Sequence, residues 1–262
     1  MADWHRLTEA EAETWAAHFG VGEDQIRHDF AISCVLQELS AHADLFVFYG
    51  GTALSRTILD GLRLSEDIDL LTVGPRKSAA MVLDEAIRSG MERQFGLIDA
   101  HPRLPDTRTD TQACLYDIAE VTVQIQLISG DNYTPWSRQN SQVSLRYGGL
   151  GDVTMTTYTA AGFVGAKTSA WCDTTRNAPR DLYDLWALAR KGHINSSAAR
   201  EFRRCGPTAS YPRQWMFPKP PSAAQWEDAL AHLCRVAVGP NEAYETVVAA
   251  WGAAVNAAEQ VT

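Results

Sequence analysis

The sequence has no long apolar run. Although 45% of its residues are hydrophobic, no window approaches the ~18 consecutive apolar residues of a membrane span. The apolar content is therefore expected in a folded core, with no membrane partner. The N-terminus, MADWHRLTEAEAETW, is acidic and lacks the basic-then-apolar pattern of a secretory signal. The five cysteines, Cys34, Cys114, Cys172, Cys205 and Cys234, are dispersed, with no CxxC pair and no histidine spacing suited to zinc. An odd, scattered set reads as reduced core thiols and predicts a cytoplasmic protein. The seven histidines form no triad or ligand cluster and are assigned no role. No internal repeat is present.

What is there begins with charge. A net charge of −9 argues against a chain coated in nucleic acid. The charge is uneven, however: between Arg176 and Lys219 nine Lys/Arg stand against three acids, a local +6 that leaves −15 elsewhere. Such a segment suits one phosphate-rich substrate, or is a solvated basic face without a partner. At 262 residues the chain can bury a sizeable core as one large domain or two small ones.

The stretch Leu45 to Val73, LFVFYGGTALSRTILDGLRLSEDIDLLTV, organises the rest. Five strand-forming residues, Leu45 to Tyr49, run into Gly50-Gly51. Thr52 follows as the expected N-cap of a helix over Ala53 to Leu59. A strand, a diglycine turn and a helix start gather backbone N–H groups and a helix dipole, a natural seat for phosphate. The chain turns at Asp60-Gly61, and a second strand begins near Asp67. There Asp67 and Asp69 stand two apart, so both carboxylates leave one face while Ile68 and Leu70 leave the other. Side by side, the carboxylates repel unless a cation lies between them or one is protonated. Beside a phosphate seat they suit Mg²⁺ or Mn²⁺, with waters and substrate phosphates completing the shell. A bare DxD would be a solvated strand-edge pair. The spacing from Thr52 and the apolar strands on both sides favour the metal site.

Around this centre, residues 1 to 20 are predicted as a short helix with Trp4, Leu7, Trp15 and Phe19 on its apolar side. Glu23 to Ala41 is a longer helix that covers the sheet. Beyond Gly74-Pro75 come a helix over Lys77 to Phe95 and strands over Leu97 to Ala100, Ala113 to Ile118 and Val121 to Ile128, with Pro102 to Gln112 a loop. The run VTVQIQLI alternates, placing Thr122, Gln124 and Gln126 on one face. Asp131 to Gly151 is loop-rich, with one strand over Gln142 to Tyr147, and holds the domain boundary. From Thr159, a helix cap, the chain turns helical. The expected helices are one carrying Phe163, Lys167 and Trp171, then Arg180 to Lys191, Asn195 to Cys205, Ser222 to Val238 and Asn241 to Gln260. The proline-rich Gly206 to Pro221, with Tyr211, Trp215 and Phe217, reads as a loop packed by its aromatics, favoured over a partner-binding segment. The fold class is α+β: a mixed sheet with covering helices over 1–151, then a helical domain over 152–262.

The run GGTALSR…LRLSEDIDLL resembles the first motif of the DNA-polymerase-β-type nucleotidyltransferase superfamily, and more narrowly of the AbiEii/AbiGii toxin family, which includes the MenT toxins. The likeness continues at Lys167 and at RDLYDL, Arg180 to Leu185, and covers about residues 25 to 190. GGT with DxD alone points to the superfamily; the combination is specific. The resemblance implies a nucleotidyltransferase-fold sheet, a Mg²⁺ or Mn²⁺ cofactor and an NTP co-substrate. It implies transfer of NMP to the 3′ end of tRNA by the toxin half of a toxin–antitoxin pair, blocking translation, with a cognate antitoxin as partner. On this reading Asp67 and Asp69 bind the metal and share catalysis with Lys167 and Asp181, while Gly50, Gly51, Thr52, Ser65 and Arg56 hold the nucleotide.

Superfamily members often carry a third carboxylate on the strand where Gln124 and Gln126 stand. Asp181 is the candidate substitute, with Asp117 and Glu120 nearby in sequence. Without the resemblance, Lys167 reads as a lysine lying along the surface of its helix. Asp181 and Asp184 would then pair with Arg180 or Arg176. Arg56 and Arg63 flank the motif, placed either to contact phosphate or to form exposed ion pairs. Tyr183 and Trp186 read as core. Two rival functions share these features: a small-molecule, aminoglycoside-type nucleotidyltransferase, and a catalytically inactive nucleotide-binding protein suggested by the missing carboxylate.

Overall fold

A computed structural model describes residues 7–260 other than 174, 177 and 178; Trp4, expected on the first helix, lies outside the described residues. Helix α1 (Glu9–Phe19) opens on a capping box between Thr8 and Glu11 and stops at Gly20 in the left-handed conformation. Helix α2 (Glu23–Ser40) buries Ile26, Phe30, Val35, Leu36 and Leu39. Then come β1 (Phe46–Tyr49), α3 (Gly50–Ser55), β2 (Asp67–Thr72) and α4 (Arg76–Phe95). Strands β3 (Asp99–His101), β4 (Cys114–Ile118) and β5 (Val121–Ile128) follow, then β6 (Arg138–Val143) and β7 (Val153–Tyr158). The remaining helices are α5 (Ala160–Cys172), α6 (Pro179–Arg190), α7 (Ser196–Cys205), α8 (Ala223–Leu230) and α9 (Pro240–Glu259).

The chain divides into two compact units. One holds the residues up to Tyr133 together with Asn140–Thr157; the other holds Thr134–Gln139 and the chain from Tyr158 onward. Among the described residues the sheet has seven strands in the order β3-β4-β5-β2-β1-β7-β6. It is mixed: β2 runs parallel to β5, and β1 to β7, while β1–β2, β4–β5 and β3–β4 are antiparallel. Ile68, Leu70, Ile125 and Leu127 are fully buried, and α2 and α4 pack against β5. At ~2 kcal/mol for each large aliphatic side chain removed from water, this layer fixes β2 and leaves its other edge of side chains for chemistry.

Several elements differ from the sequence reading. Strand β6 begins at Arg138 rather than Gln142. Strand β7, VTMTTY, has no predicted counterpart because threonines on both of its faces blur the polar–apolar alternation. Helix α8 stops at Leu230 instead of Val238, and the returning chain places the Val238 carbonyl 2.8 Å from the Trp226 indole N–H, which donates to it. In the proline-rich loop Tyr211 and Phe217 are buried, with Phe217 stacked on Trp171 at 5.0 Å, but Trp215 is 81% exposed. All five cysteines are free thiols, three of them buried. Among the described residues no helix is long and apolar enough to cross a membrane.

Candidate active site

Helix α3 starts earlier than its residue types suggest. Gly50 is its first residue, at φ 78°, a conformation that side-chain-bearing residues rarely adopt. A Cβ there would also overlap the Asp69 carboxylate, so glycine is required twice over. Tyr49, extended and without a side-chain capping bond, is the N-cap. Thr52 is therefore not the cap. It lies inside the first turn, buried, and its hydroxyl donates to the Asp67 carbonyl, tying α3 to β2. The helix ends at Ser55, short of the expected Leu59. Gly51 is half-buried beside Gly50, and Ser65 is buried just ahead of β2.

Asp67 and Asp69 are both half-buried on the face opposite Ile68 and Leu70. The parallel register sets Gln124 beside Asp67 and Gln126 beside Asp69, so the neighbours of the two carboxylates on β5 are neutral amides. The Gln126 amide donates to the Thr111 carbonyl at 2.6 Å. Asp117, one strand further along, accepts from the Thr122 hydroxyl at 2.7 Å, and Glu120 lies exposed in the β4–β5 turn. No group of three or more metal-ligating side chains occurs among the described residues. Two carboxylates on a rigid strand, with the Gly50 backbone against one of them, fit Mg²⁺ or Mn²⁺. Such ions accept one or two carboxylates and complete their shell with water and phosphate oxygens.

In the second unit Thr159 caps α5 as expected, its side chain accepting from the Gly162 N–H. Lys167 is not an exposed lysine. Its side chain is 11% exposed, and its ammonium lies 2.8 Å from Asp181 and 2.7 Å from Asp184. Arg176 reaches Asp181 only at 3.9 Å. The Asp181 Oδ2 atom is buried and meets no hydrogen-bond donor among the described residues. Tyr183 is fully buried, as expected of a core residue, and stacks at 5.4 Å on Trp186, which is half-buried. Part of the basic segment is already engaged: Arg204 pairs with Glu201, Arg213 with Glu259, and Arg203 lies over the Tyr211 ring.

Residues 34–249 match the sequence model of the family described as nucleotidyl transferase AbiEii toxin, type IV toxin–antitoxin system. The chain belongs to this family. No curated protein matches it by sequence. Among solved structures it is similar to MenT4, a nucleotidyltransferase toxin from Mycobacterium tuberculosis H37Rv. That match has a TM-score of 0.72 at 18% identity, covering 96% of this chain and 90% of that one. It is also similar to a structure from H. pylori described as a nucleotidyltransferase, with a TM-score of 0.52 at 18% identity, covering 92% of this chain and 99% of that one. At such identity the likeness is one of fold: the α+β nucleotidyltransferase fold with a helical C-terminal region.

Two arginines of this AbiEii-family chain are not where the motif suggests. Arg56 and Arg63 are buried rather than in exposed ion pairs. Arg63 donates to the Leu64 carbonyl at 2.8 Å. Arg56 donates to the Asp29 carboxylate at 2.7 Å, to the Asp29 carbonyl at 3.0 Å and to the Ser144 carbonyl at 3.0 Å. With its side chain fully enclosed, Arg56 serves the fold rather than reaching a nucleotide. Neither its carboxylate partner Asp29 nor Arg146, the second arginine on Asp29, is marked in the motif. One signal exists for Asp29, a carboxylate on the apolar stripe of α2 between Ile26 and Phe30. Arg146, 117 residues away, has none. Burial alone would raise the Asp29 carboxyl, but Arg146, Arg56 and the Tyr147 hydroxyl together hold it below its ordinary value.

Proposed function

We propose that this AbiEii-family protein transfers NMP from an NTP to the 3′ end of tRNA. The observation that carries the reading is the half-buried Asp67–Asp69 pair with the Gly50 backbone set against Asp69. In the reaction an acceptor hydroxyl oxygen bonds to the α-phosphorus, the bond to the β-phosphate oxygen breaks, and pyrophosphate leaves. The chain contributes positioning and charge. Asp67 and Asp69 would hold Mg²⁺ or Mn²⁺, which neutralises phosphate charge when bound. Gly50, Gly51 and the start of α3 let the triphosphate approach backbone N–H groups with no side chain in the way. Thr52 supports this by fixing the backbone of Asp67, and Ser65 borders the same strand.

The family resemblance assigns Lys167 and Asp181 to the same reaction. Lys167 supplies a cation to the triphosphate, exchanging a carboxylate partner for a phosphate oxygen. Asp181, one oxygen of which meets no hydrogen-bond donor among the described residues, takes the hydroxyl proton in place of the carboxylate absent at Gln124 and Gln126. The tRNA end is supported by the resemblance and by the basic segment from Arg176 to Lys219. Blocking translation from the cytoplasm, such an enzyme acts as a toxin and requires a cognate antitoxin. The test incubates purified protein, Mg²⁺ and each labelled NTP in turn with tRNA, and 3′-end labelling is expected with at least one. Modification of a small hydroxylated compound instead would install the aminoglycoside-type reading. Absence of any NTP turnover would leave an inactive nucleotide-binding protein.

A further inference from the structure

Helix α3 is too short to hold its own shape, since six residues barely complete the helix nucleus. Its geometry is set by what grips its ends. At the N-terminal end are Gly50 against Asp69 and Thr52 on the Asp67 carbonyl. At the other end the Ser144 N–H donates to the Arg56 carbonyl at 2.9 Å, and Arg146 donates to the Ser55 carbonyl at 2.5 Å. Both arginines converge on Asp29. Arg146 lies 2.9 and 3.1 Å from its two oxygens, Arg56 lies 2.7 Å away, and the Tyr147 hydroxyl completes the set at 2.9 Å. Asp60 accepts from the Arg146 guanidinium at 3.3 Å. The side chains of Asp29, Arg56 and Arg146 are at most 1% exposed.

An apolar cluster of the same volume would stabilise the fold at least as well as buried charges. What the charges add is direction, because a guanidinium fork fixes several acceptors at once. Arg146 also holds φ 66°, a left-handed backbone uncommon for a residue with a side chain. Its surroundings must over-determine that conformation for it to persist.

We propose that Asp29 and Arg146 are positioning residues for the nucleotide motif, clamping the C-terminal end of α3 so that Gly50 and the Asp67–Asp69 pair keep one geometry. The proposal rests on the reading of that pair as the metal–NTP site. It is tested by measuring the Kd of Mn²⁺ with whichever NTP the wild type binds most tightly, well below each variant's melting temperature. The variants are Asp29→Asn and Arg146→Lys, the latter keeping its charge but losing the fork. Leu104→Ala, a fully buried side chain in the same unit, serves as a destabilised control matched in melting temperature. Both variants are expected to bind about 10- to 100-fold more weakly, the usual cost of losing an outer-shell support, while the control binds as the wild type. If Asp29→Asn does not fold, Arg146→Lys and Tyr147→Phe carry the test. Unchanged affinity in the folded variants, or an equal loss in the control, overturns the proposal and leaves the cluster a stabiliser only. A wild type that binds no Mn²⁺–NTP removes the metal–NTP reading and the proposal together. Intact wild-type binding with unaffected variants removes the proposal alone.

Discussion

A single methyl group separates the glycine of the motif from a disrupted site. In Gly50→Ala the new Cβ meets the Asp69 carboxylate while the backbone sits in the left-handed region. The stability cost is about 1–2 kcal/mol, and displacement of Asp69 is expected to lower turnover about 100-fold, read by steady-state NTP kinetics beside a thermal melt. Asp69→Asn should lose transfer with its melting temperature unchanged or slightly raised, because a repelling pair is relieved; full activity with unaltered Mg²⁺ dependence would reject the metal assignment. Lys167 presents the opposite balance, one ammonium between two buried carboxylates. Lys167→Ala removes the ammonium that the two carboxylates share, and about 3–5 kcal/mol of stability should be lost. In a double-mutant cycle Asp184→Asn should recover part of that loss; strict additivity would mean that the ammonium and the Asp184 carboxylate do not interact. Burial pushes the Cys34 thiol up to about 12, and Cys114 and Cys172 to about 11, away from the thiolate range of reactive cysteines.

Among the elements of the nucleotide motif, α3 is the one whose length its sequence misrepresents. The helix-compatible run continues past Ser55, but the guanidinium of Arg56 is drawn into the buried network and the chain leaves the helix there. The same network carries a pH signature. The Asp29 carboxyl is held below its ordinary value of 3.8. Its contribution is therefore fully present above that value and is lost as pH falls through the lower folded-state value. Asp29→Asn never has this contribution. The stability gap between wild type and Asp29→Asn should be constant near neutrality and narrow as pH drops below 3.8, measured by denaturant unfolding at a series of acid pH values. A gap that widens in acid would contradict the ionised, arginine-held state of Asp29.

For the whole molecule, the charge count from composition overstates what is offered to a polyanion. Arg204 is bound to Glu201, whose carboxylate also accepts the Ser137 N–H at 2.7 Å. Arg204→Glu should therefore lower the melting temperature. Arg200 and Lys219 are exposed and have no carboxylate partner among the described residues. Arg200→Glu with Lys219→Glu is expected to leave the melt unchanged and weaken tRNA labelling. It should also flatten the dependence of labelling rate on salt between ~50 and ~200 mM, since each lost phosphate contact reduces the slope by about one. An unchanged slope would show that the RNA does not use this segment.

Features that depend on local spacing are legible in the order of residues. Asp67 and Asp69 share a face because strand side chains alternate, and Gln124 and Gln126 deny that face a third carboxylate for the same reason. Thr159 caps α5 by local hydrogen bonding, and the α+β order follows from the change of hydrophobic period near residue 159. Features that depend on partners distant in the chain emerge only with the three-dimensional fold. It turned Thr52 from a cap into a tether on β2, and buried Arg56 against Asp29 and Arg146. It also set Lys167 between two carboxylates and paired β7 with β1. Polar side chains choose partners by three-dimensional proximity, and an arginine whose acceptor lies 117 residues away carries no local mark of it.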